Sequence, residues 1–367
     1  MASILSVSAQ TPLPRQGTEE SSPQLGQKRI PGFVLVHSPS MVSRFKSNPD
    51  QVALALEKGL SAWSGKSNSV ETWKSLVKPG ERVGIRINTV GGPITSTHLS
   101  LVQKVIDGLL AAGIRPGDII VWDKYPHHMM SAGYVPLQPK EEWQCQSIVE
   151  GSGWDPEVFY FHETVGRLIW GDHEFKGRAS ISIPIPETED SPSTGKPEDL
   201  AKNEQISNRS YFARVVTRSV DKIINMPTMT NHEGTGIQGC LASLALGSVD
   251  NHRRFLDGTE PSATAIAEIL SKDPIAQKTI LHIMDGLIMQ YAAGPGFDPN
   301  FADSAAFLLI GNDPVAIDSW VLQQMEFRRQ DRSVVPIGAK ADHIRAAESF
   351  GLGRRFTDET VKTIQLP

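Results

Sequence analysis

From Phe33 onward the chain alternates short β-branched apolar runs with stretches whose apolar residues recur at helical spacing. Phe33 to His37 is predicted as a strand. Asn48-Pro49-Asp50 then opens a helix carrying Val52, Leu54, Ala55 and Leu60 on one side, because Asn caps a helix and Pro suits its first turn. Glu81 to Asn88 reads as a second strand. After the Gly91-Gly92-Pro93 turn, Ser96 or Thr97 is placed to cap a helix bearing Leu101, Val105, Ile106, Leu109 and Leu110, which Gly113 ends. Asp118 to Trp122 is a third strand. Strand, helix, strand in this order is a βαβ unit, and it implies a parallel sheet.

Between residues 145 and 220 the rhythm changes. Phe159 to His162, Arg167 to Trp170 and Ala179 to Ile185 read as short strands, and Glu187 to Lys196 as a polar loop. The α/β pattern resumes with strand Lys222 to Asn225, a Gly-rich loop and a helix from Ile237 to Leu246. A helix at Ala263 to Leu270, strands Thr279 to Met284 and Ala306 to Ile310, a helix from Pro314 to Phe327 and a last helix ending at Gly351 follow. The expected fold is α/β: a mainly parallel sheet with helices on both faces and a β-rich insertion or cap. Residues 1–30 are expected as a flexible tail, 31–144 as the first part of the α/β domain, 145–220 as the insertion and 221–367 as the second part.

Composition narrows the function. With 39% hydrophobic and 21% charged residues the chain can bury a large core. Its 36 Lys+Arg against 41 Asp+Glu, a net charge of −5, argue against nucleic acid as a partner, since phosphate contacts need a basic surplus. No apolar run approaches the roughly 18–20 residues of a membrane span. Cys145 and Cys240 are the only cysteines, so this chain alone supplies no iron–sulfur cluster, and whether the two pair stays open. Val7-Ser8-Ala9 resembles an export cleavage site without a basic or fully apolar lead, which leaves an extracytoplasmic and a cytoplasmic location both open.

Candidate chemistry comes from position. In parallel α/β sheets ligands bind beyond the carboxyl ends of strands. Here those ends carry Asn88-Thr89, Asp123-Lys124, Asn225 followed by Thr230-Asn231-His232, Asp285-Gly286 and Asn312-Asp313. Asn88, Asp123, His232, Asp285 and Asn312 are therefore expected around one crevice. Asp123, His232 and Asp285 are the candidate catalytic groups, and Asn88, Thr89, His127, His128, Asn231, Gly234, Gly236 and Asn312 the candidate substrate contacts. His98, His232 and His252 are candidate ligands for Fe, Mn or Zn. Gly234-Thr-Gly236-Ile-Gln-Gly239 matches G-x-G-x-x-G, but residues 226–233 separate it from the strand, so NAD is not expected. A backbone cradle for a phosphate or carboxylate, completed by the next helix N-terminus, is the better expectation.

A series of landmarks in order resembles the domain-of-unknown-function family 362. They are Asn225-Met-Pro227 through His232, Thr235-Gly236 with Leu241 to Gly247, Met284-Asp285-Gly286 with Gly294-Pro295, Asp313 to Asp318, and Ala347-Glu348 before Gly351-Leu-Gly353. The likeness extends over residues 81–353. It implies an α/β fold, often in exported proteins, some of which carry an appended four-cysteine domain. It also implies lysines at positions held here by Thr228 and Thr230, and a Lys-Asn pair where this chain has Ala242-Ser243, which weakens the case for a strongly anionic substrate. Two functions stay open: an enzyme acting on a small molecule through the His/Asp groups, with or without a His-bound transition metal, and a non-catalytic binding protein for an organic acid or phosphate ester.

Overall fold

The computed structural model describes residues 32–135, 142–176 and 205–367. The expected tail over residues 1–30, the strand from Ala179 to Ile185 and the loop from Glu187 to Lys196 lie outside the described residues.

Strand β1 (Phe33–His37) leads through the hairpin β2 (Val42–Ser43) and β3 (Lys46–Ser47) to α1 (Pro49–Ser64) and α2 (Ser69–Leu76). Asn48 caps α1 by accepting from the Asp50 N–H. Then come β4 (Val83–Ile87), the short α3 (Gly92–Thr95), α4 (Leu99–Ala111), β5 (Ile119–Asp123), the short α5 (Pro126–Ser131) and β6 (Gln144–Ser147). The capping role expected of Ser96 or Thr97 is not taken up: His98 sits at the cap position without a side-chain cap bond. Thr97 instead ties two strands, its Oγ1 donating to Met226 O at 2.7 Å and accepting from Asn88 N at 2.9 Å.

An antiparallel ribbon follows, β7 (Trp154–Arg167) with β8 (Ile206–Ala213). The second half comprises β9 (Lys222–Met226), β10 (Thr228–His232), β11 (Gly236–Ile237), α6 (Cys240–Gly247), α7 (Glu260–Leu270), α8 (Asp273–Ala276), β12 (Thr279–Gln290), β13 (Ala302–Gly311), α9 (Pro314–Asp331), α10 (His343–Ser349) and β14 (Val361–Gln365).

The central sheet runs β14-β1-β13-β12-β9-β4-β5-β6. From β12 to β6 all neighbours are parallel. β13 is antiparallel to both β12 and β1. The fold is thus mixed α/β with a large, mostly parallel sheet. Alternation along each strand feeds two cores. Val34, Ile85, Val121 and Ile224 face the core built with α1, α2 and α4, whereas Leu35, Trp122 and Ile223 face the core built with α6, α7, α9 and α10. Cys145 and Cys240 are free and buried in opposite cores, which settles their pairing.

Two expectations need correction. β6 pairs with β5, so the segment read as an insertion from residue 145 begins inside the main sheet. The span after Asn225 is not a loop: the chain continues into β10, which pairs in parallel with β12 at Thr228 opposite Asp285.

Candidate functional site

Beyond the carboxyl ends of β4, β5 and β10 lies a cleft of about 270 Å³. Its charged and imidazole groups are Arg86, Asp123, Lys124, Arg253, His128, His232 and His252, and Asn88, Tyr125, Thr235, Gln238 and Ser243 complete the polar lining. Arg86 and Asn88 reach the same space because residues two apart in a strand share a face.

Arg86 forms the floor and is 5% exposed. Its Nη1 lies 3.1 Å from Asp123 Oδ1, its Nη2 donates to Ser243 O at 3.3 Å, and its Cζ stands 5.3 Å from the Trp122 ring centre. Its Nε has no hydrogen-bond partner among the described residues. Burial holds this guanidinium below its usual pKa, against the pull of Asp123. Gly247, at the end of α6, makes room for it, since a Cβ there would collide with the Arg86 guanidinium.

Asp123 is heavily engaged. Its Oδ2 accepts from Thr89 N at 2.9 Å and Thr89 Oγ1 at 2.5 Å, and its Oδ1 accepts from Lys124 N at 2.7 Å. A carboxylate so bonded anchors Arg86 and the β4–α3 turn. Lys124 Nζ donates to Leu246 O at 2.6 Å and Val249 O at 2.7 Å and lies 2.9 Å from His252 Nδ1. Burial draws the Lys124 ammonium down to about 7, with Arg86 adding to the effect and Asp172, Asp250 and Asp123 opposing it. Burial, then the Lys124 charge, then Arg253 and His232 hold His252 well below 6.5. His232 is also lowered, by burial first and Lys340 second, against Glu233, and its Nδ1 accepts from Gly234 N at 3.1 Å and Thr235 N at 3.3 Å. His128 is lowered by burial and by His127.

Behind Lys124 the ribbon is tied down by carboxylates. Asp172 accepts from Asn251 N and Ile169 N, both at 2.9 Å, and Asp250 accepts from His173 N at 2.7 Å. Burial pushes Asp250 up to about 7. Trp154, Tyr160, Tyr211 and Phe212 of the ribbon also join the core built with α6 and α7, so apolar packing and these polar contacts together hold it.

Of the residues singled out by sequence, Asn88, Asp123, His128, His232 and His252 line this cleft. Thr89 stands directly behind Asp123, and Asn231 is buried, its Oδ1 accepting from Gly294 N at 2.8 Å. His127 is exposed at the start of α5.

The single crevice expected of five strand ends is not formed. Asp285 is buried and paired with His98, with Nδ1 to Oδ2 at 2.9 Å and His98 N to Oδ2 at 2.7 Å. Asn312 lies in a different pocket with Cys240, His282 and Pro314. The reason is strand direction: β13 is antiparallel, with Gly311 opposite His282, so its carboxyl end emerges at the other rim of the sheet. His98, held by Asp285, is likewise no neighbour of His232 and His252 in the cleft lining. Among the described residues no group of three or more His, Cys, Asp or Glu side chains is arranged to hold a metal ion.

The anion cradle expected at Gly234 to Gly239 is already filled. Asp318, from α9, accepts from Cys240 N at 2.6 Å and Leu241 N at 2.9 Å, so it occupies the N-terminus of α6. Gly239, at φ +49°, is where a Cβ would strike that carboxylate, and Gly234 packs against the Leu256 backbone. These glycines serve close packing.

The sequence reading passed over Arg86, Gln238 and Arg253. Arg86 left a signal: a lone charge inside Val83-Gly-Ile-Arg-Ile87, a strand otherwise apolar and buried on both faces.

Residues 188–323 match the family model described as Domain of unknown function (DUF362). The matched span carries His232, Ser243, His252, Asp285 and Asp318. No curated protein matches the chain. Among solved structures it is similar to the crystal structure of a protein from Thermotoga maritima, determined as a Northeast Structural Genomics Consortium target, at 11% identity and a TM-score of 0.38. That alignment covers 80% of this chain and 60% of the other's length. No helix among the described residues is long and apolar enough to cross a membrane.

Proposed function

We propose that the protein binds a small organic anion, a carboxylate or a phosphate ester, in the cleft at the ends of β4, β5 and β10. The observation that carries this reading is Arg86: a guanidinium 5% exposed at the cleft floor, with Nε lacking a partner among the described residues. A buried cation without full hydrogen bonding is costly, and an anion held in the cleft above it would offset its charge. The lining supports the same conclusion. It holds three basic side chains, Arg86, Lys124 and Arg253, against one carboxylate, Asp123, in a chain whose net charge is −5. A cationic recess on an acidic protein concentrates the field at one place.

The test is calorimetric titration of the full chain with inorganic phosphate and with small di- and tricarboxylates. Binding is expected for at least one of them, weakened roughly tenfold to a hundredfold in Arg86→Met, the range set by the loss of a charge-assisted hydrogen bond. Absence of binding by all these anions, or binding indifferent to Arg86→Met, would overturn the reading.

A second reading, an enzyme that turns over the bound anion, draws on Lys124, whose ammonium is brought to about 7 by burial beside His252. Perturbed groups in a cleft are frequent at proton-transfer sites. Recovery of the bound compound unchanged after long incubation would favour the carrier, and recovery of a product the enzyme.

A further inference from the structure

The hydrogens on the two cleft histidines can be placed from their partners. A lysine ammonium has three hydrogens and no lone pair. Those of Lys124 meet three acceptors: Leu246 O at 2.6 Å, Val249 O at 2.7 Å and His252 Nδ1 at 2.9 Å. His252 Nδ1 must then carry the lone pair, and the ring hydrogen sits on Nε2. The same logic holds at His232, where two backbone donors, Gly234 N–H and Thr235 N–H, converge on Nδ1 at 3.1 and 3.3 Å. Both rings line the cleft, and neither Nε2 is among the atoms sealed from solvent without a partner.

We infer that Lys124 is a positioning residue which, with the backbone of Gly234 and Thr235, holds His252 and His232 as Nε2–H donors, so that the cleft presents them to a carboxylate or phosphate oxygen and not to a divalent cation. A histidine that ligates a metal through Nε2 normally donates Nδ1–H to a carbonyl or carboxylate, which leaves the Nε2 lone pair free. Here Nδ1 faces donors at both residues, the reverse arrangement. Using Nε2 as a ligand would require a hydrogen to move to Nδ1 against an ammonium in one ring and two amides in the other. Most charged groups facing the pair act in the same sense: Arg86, Arg253 and Lys340 are cationic, and the nearby carboxylates Asp123, Asp172 and Asp250 are engaged by backbone N–H groups, while Glu233 beside His232 acts against them. His128 lies on the same wall. The ligand half of the inference rests on the cleft being the binding site, whereas the placement of the hydrogens does not.

The experiment is a long-range proton–nitrogen correlation spectrum of the full chain labelled at histidine nitrogens, recorded below the value of about 7 to which burial draws Lys124, so that its ammonium is intact. His252 and His232 are each expected to show an unprotonated Nδ1 and a protonated Nε2. In Lys124→Met, His252 should redistribute between tautomers while His232, held by backbone, stays as it was and serves as the internal control. The wild-type spectrum decides the matter even if that variant does not fold. Addition of inorganic phosphate should shift both Nε2 resonances, and addition of Zn²⁺ should shift neither. A protonated Nδ1 at either ring in the wild type, or stoichiometric Zn²⁺ binding that moves these resonances, would overturn the inference. Tautomers as stated with no response to any of the anions would uphold the hydrogen placement and overturn both its ligand half and the anion-binding reading.

Discussion

The molecule sets imidazole in two surroundings of opposite character. At the start of α4, His98 meets the carboxylate of Asp285, which lies almost wholly buried in β12. In the cleft, His252 meets the ammonium of Lys124. Burial lowers the pKa of both rings, but Asp285 outweighs it and lifts His98 above 6.5, whereas Lys124 adds to it and drives His252 far below. One ring is stabilised with an added proton and the other is kept neutral. The partner decides what a buried histidine can do. His98 with Asp285 is a structural strut that joins α4 to a central strand, while His252 with Lys124 presents a neutral polar edge to the cleft.

The most damaging way to break the comparison is to remove the strut's carboxylate. Asp285 accepts from His98 N, His98 Nδ1 and Leu287 N, the last at 3.2 Å. Asp285→Ala leaves a buried cation or an unpaired ring together with two orphaned amides. The expected loss is about 3–5 kcal/mol, the usual cost of breaking a buried charge pair from one side, read from the shift in denaturant midpoint at constant slope. A loss below about 1 kcal/mol would mean that the pair is dispensable and that the contrast with Lys124–His252 has no energetic content.

Much of this architecture was legible in the chain. Asn48-Pro49-Asp50 announced the start of α1 because a cap and a helix-compatible Pro act locally, and strands such as β4 and β5 were marked by β-branched runs buried on both faces. What depended on non-local pairing was hidden. The direction of β13 is the clearest case. With β12 read as ending at Met284 and β13 as starting at Ala306, the gap looked long enough for a parallel crossover. β12 in fact continues to Gln290 and β13 begins at Ala302, and the shorter link joins antiparallel neighbours. That difference removed Asn312 from the cleft. β10 was hidden because Pro227 argued for a turn, although Thr228 and Thr230 suit a strand. Within the site, Asn88, Asp123 and His232 stood out as polar residues at strand ends. Arg86 did not, because it lies one turn of the pleat inside its strand, and Asp318 did not, because its partner helix start is distant in sequence.

A subtler way to sharpen the comparison is the pH dependence of stability. His98 has a raised pKa, so its contribution is fully present below the unfolded value of 6.5 and is lost as pH rises through the higher folded value. His252 has a depressed pKa, so its contribution is present above 6.5 and is lost as pH falls toward the folded value. The stability difference between wild type and His98→Gln should therefore shrink above pH 6.5, and that between wild type and His252→Gln should shrink below it. Both changes are read by denaturant unfolding across the neutral range. Slopes of the same sign in the two variants would show that the partners do not control the rings as argued.

The smallest expected effect belongs to the adjacent pair His127 and His128, which brings the comparison down to neighbouring residues. Both open α5, with ring centres 4.3 Å apart, yet His128 lines the cleft and has its pKa lowered by burial, while His127 points its surface to solvent. A helix sends consecutive side chains in different directions, so chain proximity gives them no common role. His127→Ala should change phosphate or carboxylate affinity by less than about twofold and stability by less than about 0.5 kcal/mol, as for an exposed side chain without defined partners. His128→Ala should weaken the same binding by a larger factor, since it removes a polar group from the wall. Calorimetry on the two variants side by side checks this. Equal effects would place the ligand over the outer surface of α5 instead of in the recess above Arg86, and the contrast between a closed strut and an open cleft would have to be redrawn around that helix.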